Sequence, residues 1–401
     1  PELLREGIAM AEADDTTLVM DGKALEYALD HGCQEEFVKL GGLCVSVVCC
    51  RSTPLQKRQC VEVIKNSLRV RTLAIGDGAN DVAMIQAAHV GVGVMGNEGM
   101  QAVMSSDFSI GQFRFLKRLL LIHGRWSYMR TGYSTCYVVY KNVLLTLIPF
   151  WFGFYSQWSG GVYLDPWMRT LWNFIFTGVP CVVYSFMEQD LPASVIMENP
   201  LLYRSGQVDK WFNPILFFEW FAYALWDGLV CFYGAIWSCY GLGQATNRLG
   251  FNGDYWTTST LTYTIMCLVA NLHLCLHTRH YNYITFWTYY LSILSWFVVL
   301  PLYSTNASIA MGVPGMYGVG FHLYLDPVFW VAVPILTWAC LVPDAALVWA
   351  RKAFFPSAVD VLQEVVDVEV KREAREKDRP DGPERRQVRS FRLQLPLEFG
   401  P

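Results

Sequence analysis

Six separate runs of about 20 apolar residues decide what this chain can fold into. They lie at roughly 133–156, 168–188, 214–240, 260–277, 283–303 and 327–350, on a transmembrane-helix reading. A helix of that length crosses the hydrocarbon core of a bilayer and satisfies its own backbone polar groups on the way. The expected result for residues 133–350 is an all-α six-helix transmembrane bundle. Charge follows the same division. The stretch Gly132 to Ala350 holds 16 of the chain's 66 Asp, Glu, Lys and Arg residues in 219 positions. The rest lie in a polar first part and a polar tail. A formal net charge of −4 gives no basic footprint for a nucleic-acid partner.

Basic residues in the short connections suggest an orientation. One set of flanks carries Arg114, Lys117, Arg118, Arg125 and Arg130, then Arg204 and Lys210, then Arg279, then Arg351 and Lys352. The opposite connections, 157–167, 241–259 and 304–326, carry Arg248, with Arg169 at a membrane edge. The first part and the tail are therefore expected in the cytosol. The sequon Asn306-Ala307-Ser308 falls in the last connection on the other side. The opening "PELLREGIAMAEADD" has no basic n-region, no apolar h-region and no initiator Met, so a fragment is expected. The twelve cysteines lack CxxC spacing and are expected as reduced thiols packed like small hydrophobes.

Residues 1–112 alternate short apolar runs with amphipathic ones. "TLVMDG" (17–22), "CVSVVCC" (44–50), "RTLAIGDG" (71–78) and "HVGVGVMG" (89–96) read as buried strands. Between them "STPLQKRQCVEVIKNSL" reads as a helix, with Ser52 or Thr53 as its cap and Pro54 in its first turn. This βαβα order predicts part of a doubly wound α/β parallel sheet. Residues 113–132 read as a basic stalk helix entering the first span. Residues 351–401 read as a cytosolic, largely disordered tail, mixed in charge and with little periodicity after Ala374.

The motif "GDGAND", Gly76 to Asp81, sits where a strand ends and a helix begins. Ligands of open α/β sheets bind at that edge. Two carboxylates on such a loop suit a hard divalent cation such as Mg²⁺, which commonly bridges to phosphate. Asn80 can donate and accept beside them. Taken alone, the same residues could form an ordinary Asx/Gly turn. Lys57, near the start of the preceding helix, is placed to meet a phosphate.

"PLQK…GDGANDVAMIQAA" resembles the phosphorylation domain of P-type ATPases, of the haloacid dehalogenase superfamily. "EGMQA", "SDFSI", "QFRFLKRLLL", "HGRWSY", "YKN" and "WNFIFTGVP" narrow the resemblance to type IV P-type ATPases, the phospholipid flippases. It runs from about residue 15 to 360 and is absent from the tail. Ser52-Thr53 departs from the hydrophobic residue and serine usual in the family. The resemblance implies that 1–112 is the C-terminal part of a phosphorylation domain. It implies that Asp77, with Asp81, ligates Mg²⁺, that Lys57 holds a phosphate oxygen, and that Asn80 and Asp81 complete a catalytic pocket for phosphoryl transfer from ATP. It further implies transport of phospholipid from the exoplasmic to the cytosolic leaflet, a Cdc50-type accessory subunit, and residence in the plasma membrane or Golgi and endosomal membranes. The family's "DKTG" and "TGE" stretches do not occur in this sequence. The chain is thus expected to be the C-terminal part of a longer pump, inactive by itself.

In the membrane half, Lys141 interrupts the first span near its middle, where a charge costs about 2.5–3.5 kcal/mol. The resemblance places Lys141 and Asn142 beside the lipid path, with Asn173 as a weaker candidate. Pro149 and Pro180 are expected to kink their spans. Asp227 has no assigned role. His89, His123 and His273 show no metal-ligand arrangement and read as packing or surface residues. Two alternatives stand beside the flippase reading: a cation-transporting P-type ATPase, and a non-catalytic membrane scaffold. Cation transport would call for clustered oxygen ligands in mid-membrane, and Lys141 would repel a cation.

Overall fold

The computed structural model describes Leu4, Ile8 and residues 16–30, 32–96, 100–241 and 255–377. Arg248 and the end of the tail, 378–401, lie outside the described residues. The chain divides into two units, 1–120 and 121–401.

In the first unit, β1 (Thr17–Asp21) pairs in parallel with β2 (Ser46–Cys50). Helices α1 (Gly22–Ala28) and α2 (Gln34–Leu43) connect them. After α3 (Pro54–Leu68), β3 (Leu73–Gly76), β4 (Val90–Val94) and β5 (Phe108–Ile110) form a second parallel sheet in that order, with α4 (Val82–Ala87) between β3 and β4. The expected strands are present within a few residues and pair in parallel, as the βαβ order requires, but of the four only β3 and β4 are substantially buried; β1 and β2 are largely exposed. One sheet was expected. The described residues instead form a two-stranded and a three-stranded sheet, and β5 is a three-residue strand that no periodicity announces. Met20, Leu25, Ala28, Leu29 and Phe37 form a small core under β1.

The start of α3 follows from local chemistry. Thr53 Oγ1 accepts from the Gln56 N–H, and Gln56 Oε1 accepts from the Thr53 N–H, closing a capping box with Pro54 in the first turn. Gln56 Nε2 also donates to the Gly22 carbonyl at 2.7 Å, tying this helix start to the end of β1.

Among the described residues, six helical stretches are long and apolar enough to cross a membrane: Phe115–Tyr155, Pro166–Met187, Pro214–Cys239, Tyr255–His277, Tyr283–Tyr303 and Pro327–Phe354. All six expected spans are present. The first continues from the basic stalk through a π-helical turn, Leu119–Gly124, into α5 (Arg125–Tyr155). The second is split into α6 (Pro166–Leu171), a π-helical segment (Trp172–Phe176) and α7 (Gly178–Met187). Helices α8 (Pro214–Ile236), α9 (Tyr255–His277), α10 (Tyr283–Tyr303) and α11 (Pro327–Phe354) complete the bundle. Every residue of α9 from Thr258 to Cys267 is buried, so this helix runs through the middle. Its threonines are tolerated there because they return hydrogen bonds to their own helix, Thr262 to the Thr258 carbonyl and Thr264 to the Thr260 carbonyl.

The tail departs from expectation. Residues Ala358–Lys377 form a helix, α12. Its Val359 and Leu362 are buried in a cluster with Ile122, Trp126, Leu191, Ile196 and Leu202. Gln363 Nε2 donates to the Asp190 carbonyl at 2.7 Å. The mixed charge that suggested disorder lies beside a short apolar stripe, and the stripe finds a docking surface on the bundle.

Candidate functional site

The candidate residues fall into two groups, one in each unit. In the first unit, the end of β3 is shaped by Gly76. A Cβ on this residue would stand 2.8 Å from Asp81 Cγ and 2.9 Å from its Oδ2, so only glycine lets Asp81 fold back over the strand end. Asp81 closes a short 3₁₀ turn, Ala79–Asp81, from which α4 begins. There its Oδ1 meets Lys57 Nζ at 2.8 Å. The lysine comes from the first turns of α3, whose position is fixed by the Thr53–Gln56 capping box and the Gln56–Gly22 bond. Two sequence-distant candidates, Lys57 and Asp81, are thus in direct contact.

Asp77 and Asn80 lie on the same loop and are exposed. Gly96, just after β4, faces Asp77, with the position of a Cβ 3.5 Å from the Asp77 Cβ. The donors here are carboxylate, amide and carbonyl oxygens, the chemistry that Mg²⁺ prefers. The residues present fit such an ion, with Asp77 as the carboxylate left open to solvent and Asp81 already neutralised by Lys57.

In the second unit, Lys141 lies near the middle of α5 and is 4% exposed. Its Nζ donates to Thr177 Oγ1 at 3.1 Å and lies 5.9 Å from the centre of the Tyr137 ring. Thr177 marks the break in the second span. Gly178 follows it with its α-carbon against the Asn173 carbonyl, an approach that a Cβ would block. Pro180 then removes one helical donor. Backbone groups freed in this way need other partners inside a membrane. They have them. The Phe176 carbonyl accepts from Asn271 Nδ2 at 2.8 Å and from Ser292 Oγ at 2.7 Å, and Thr177 Oγ1 donates to the Trp172 carbonyl at 2.6 Å. The arrangement is a broken helix, held open by α9 and α10, with a buried ammonium against it.

Of the three residues expected on the lipid path, Lys141 reaches this break with its side chain, and Asn173 lies within it but contributes its backbone carbonyl. Asn142 Nδ2 returns to the Val138 carbonyl of its own helix at 2.9 Å, and the Asn173 side chain is exposed. Thr177, Asn271 and Ser292 were not anticipated. The Thr-Gly-Val-Pro run inside an apolar span signals a break, but nothing in the sequence says which distant side chains repair it. Asp227 is buried and accepts a hydrogen bond from Tyr140, the neighbour of Lys141 on α5. His89 is exposed and bonds Thr72, as a surface residue should. His273 is not simply a packing residue. It faces His277 and Asp344, a spacing visible in "HLCLH" but without a partner until the fold brings α11 alongside.

A family model described as the phospholipid-translocating P-type ATPase C-terminal region matches residues 103–357. Phospholipid-transporting ATPase VA of Homo sapiens is 37% identical over 87% of this chain and 23% of its own length. Phospholipid-transporting ATPase ID of Mus musculus is 36% identical over 88% of this chain and 29% of its own. Phospholipid-transporting ATPase DRS2 of Saccharomyces cerevisiae is 36% identical over 87% and 26%. The chain therefore spans less than a third of the length of these relatives. It belongs to the phospholipid-translocating P-type ATPases.

Proposed function

We propose that this chain is the C-terminal part of an ATP-driven flippase that moves phospholipid from the exoplasmic to the cytosolic leaflet through an aspartyl-phosphate cycle. The buried Lys141 ammonium beside a broken membrane helix carries this reading. A fixed positive charge and a hydroxyl at that depth suit the phosphate of a lipid head group, and they repel a transported cation. The same observation disfavours a cation pump.

In the α/β unit, Lys57 is the residue that would offset phosphate charge, and Asp77 the one that would hold Mg²⁺, with Asn80 hydrogen-bonding beside it. Asp81 would position Lys57. Bound Mg²⁺ would neutralise charge on the transferred phosphoryl group, a step that is mostly positioning and electrostatics. The ATP-binding portion and the phosphorylated aspartate would come from the rest of the pump. A Cdc50-type subunit is the expected partner, and the plasma membrane or Golgi and endosomal membranes the expected location.

The test uses the full-length parent reconstituted in phospholipid vesicles. Asp77→Asn should abolish ATP turnover. Lys141→Ala should leave phosphoenzyme formation largely intact while lowering lipid-stimulated turnover about tenfold, as loss of a charged hydrogen-bond partner suggests. Lipid-stimulated turnover unchanged in Lys141→Ala would end the membrane-site reading. Phosphoenzyme formation surviving Asp77→Asn would end the catalytic one.

A further inference from the structure

The second unit also holds a cluster that the transport reading does not use. His273 and His277 lie four residues apart on α9, so their side chains share one face. Asp344 reaches them from α11. His277 Nε2 is 3.1 Å from Asp344 Oδ2, and His273 Nδ1 is 3.5 Å from the same oxygen. The three donor atoms all lie within 4.8 Å of one another. In a tetrahedral zinc site with bonds near 2.1 Å, neighbouring donor atoms stand roughly 3.4 Å apart. Both histidine–aspartate separations are already close to that edge.

Burial makes the arrangement hard to explain as a plain hydrogen-bond network. Asp344 and His273 are fully buried. Yet neither ring nitrogen of His273 nor Oδ1 of Asp344 has a hydrogen-bond partner. Buried polar atoms are nearly always satisfied, so each such atom calls for a cause. The His273 ring is held in place by other means. It stacks on Tyr140 at 4.6 Å with 13° between the planes, and the Trp220 and Tyr223 rings stand 5.2 and 5.3 Å away. A ring fixed by packing, with its nitrogen aimed at a carboxylate and a second imidazole, is a preorganised ligand.

A route to the cluster exists. His277 lines a cavity of about 490 Å³ together with Glu188, Asp190, Arg279 and Lys352. His277 is also the least buried of the three ligands, with a side chain 15% exposed. An ion could enter through the cavity and keep a water or cavity-side ligand in its fourth position.

We propose that His273, His277 and Asp344 bind a divalent transition-metal ion of the zinc type, which ties α9 to α11 at the Arg- and Lys-rich end of the bundle. Imidazole and carboxylate donors with an open fourth position select such ions over Mg²⁺ or Ca²⁺. The ion would cross-link two spans separated by about seventy residues of sequence, and the proposal is independent of what the protein transports.

The experiment uses the whole chain in detergent micelles, freed of metal by a chelator and titrated with Co²⁺. The expected result is one Co²⁺ per chain, with the visible absorption of a tetrahedral ion, displaced by Zn²⁺. His277→Gln, at the most exposed position, should weaken Co²⁺ binding at least tenfold while the helical content stays unchanged. Asp344→Asn keeps the shape of the site and should do the same. Zn²⁺ should raise the midpoint of thermal unfolding in the parent chain and not in either variant. Absence of stoichiometric Co²⁺ binding would overturn the proposal, as would binding that survives both substitutions.

Discussion

At the residue scale, the pairing of Lys57 with Asp81 depends on a missing side chain. Gly76 leaves the space that Asp81 occupies, and a methyl group there would meet the Asp81 carboxyl carbon at 2.8 Å. Gly76→Ala should therefore push Asp81 off the strand end and release Lys57 without removing either charge. In the full-length parent this should slow phosphoenzyme formation on the order of 10²-fold, the scale of a 1 Å misplacement. Normal kinetics in a Gly76→Ala protein of unchanged fold would show that the Lys57–Asp81 contact is dispensable. A second residue makes a pH prediction. Glu188 follows Met187, the last residue of the second span, and accepts from the Arg279 N–H at 2.8 Å and the His280 N–H at 3.3 Å. Burial pushes its carboxyl up to about 7, against the lowering influence of those N–H groups and the Arg279 charge. Between the ordinary value of 4.5 and about 7, the folded protein holds a proton that the unfolded chain has lost. The stability this gives is complete below the lower value and is lost as pH rises through the upper one. Glu188→Gln should flatten the fall of the unfolding midpoint across that window. An equally steep fall in Glu188→Gln would assign the pH dependence to another group.

At the element scale, what the sequence makes legible divides by the range of the interactions involved. The six spans could be placed because hydrophobicity is summed over about 20 residues and a bilayer demands it of each helix separately. The start of α3 could be placed because a capping box is written in adjacent residues. The two small sheets, the repair of the broken second span by Asn271 and Ser292, and the His273–His277–Asp344 cluster all depend on pairs far apart in sequence, which a linear pattern does not show. The tail shows the same limit. Half of the positions of helix α12 are charged, and the side chains it is seen to bury, Val359 and Leu362, gain their meaning from Trp126, Leu191 and Leu202. Leu362→Glu would place a carboxylate in that apolar cluster, at a cost of several kcal/mol unless the helix undocks. The expected outcome is faster protease cleavage within 358–377, with the spans still protected. Cleavage no faster than in the parent would mean that α12 is held by its polar contacts, Arg279 to Asp360 and Gln363 to the Asp190 carbonyl, rather than by this cluster.

At the scale of the whole molecule, the count of spans is itself a constraint. If each of the six long apolar helices among the described residues crosses, the number is even, and the segments before the first and after the last emerge on the same side of a bilayer. The basic residues flanking the spans favour the cytosol as that side, in keeping with the proposed orientation. Arg279, Arg351 and Lys352 share it with Arg125, whose guanidinium makes a buried two-pronged ion pair with Asp190 in the connection after the second span. Such a pair, enclosed at one end of the bundle, costs about 3–5 kcal/mol to break by removing one partner. It therefore binds the stalk and that connection into one edge of the bundle, and an arrangement in which only one of the first two spans crossed would have to pull the two apart across the membrane. Sealed vesicles carrying the chain with an epitope tag at each end put the point to a direct test. Added protease should remove both tags together or neither, according to vesicle orientation, while tags inserted after Ser156 or Met311 should behave oppositely. Loss of one terminal tag with protection of the other would make the number of crossings odd, and the reading of the two flanks as one cytosolic face would fall with it.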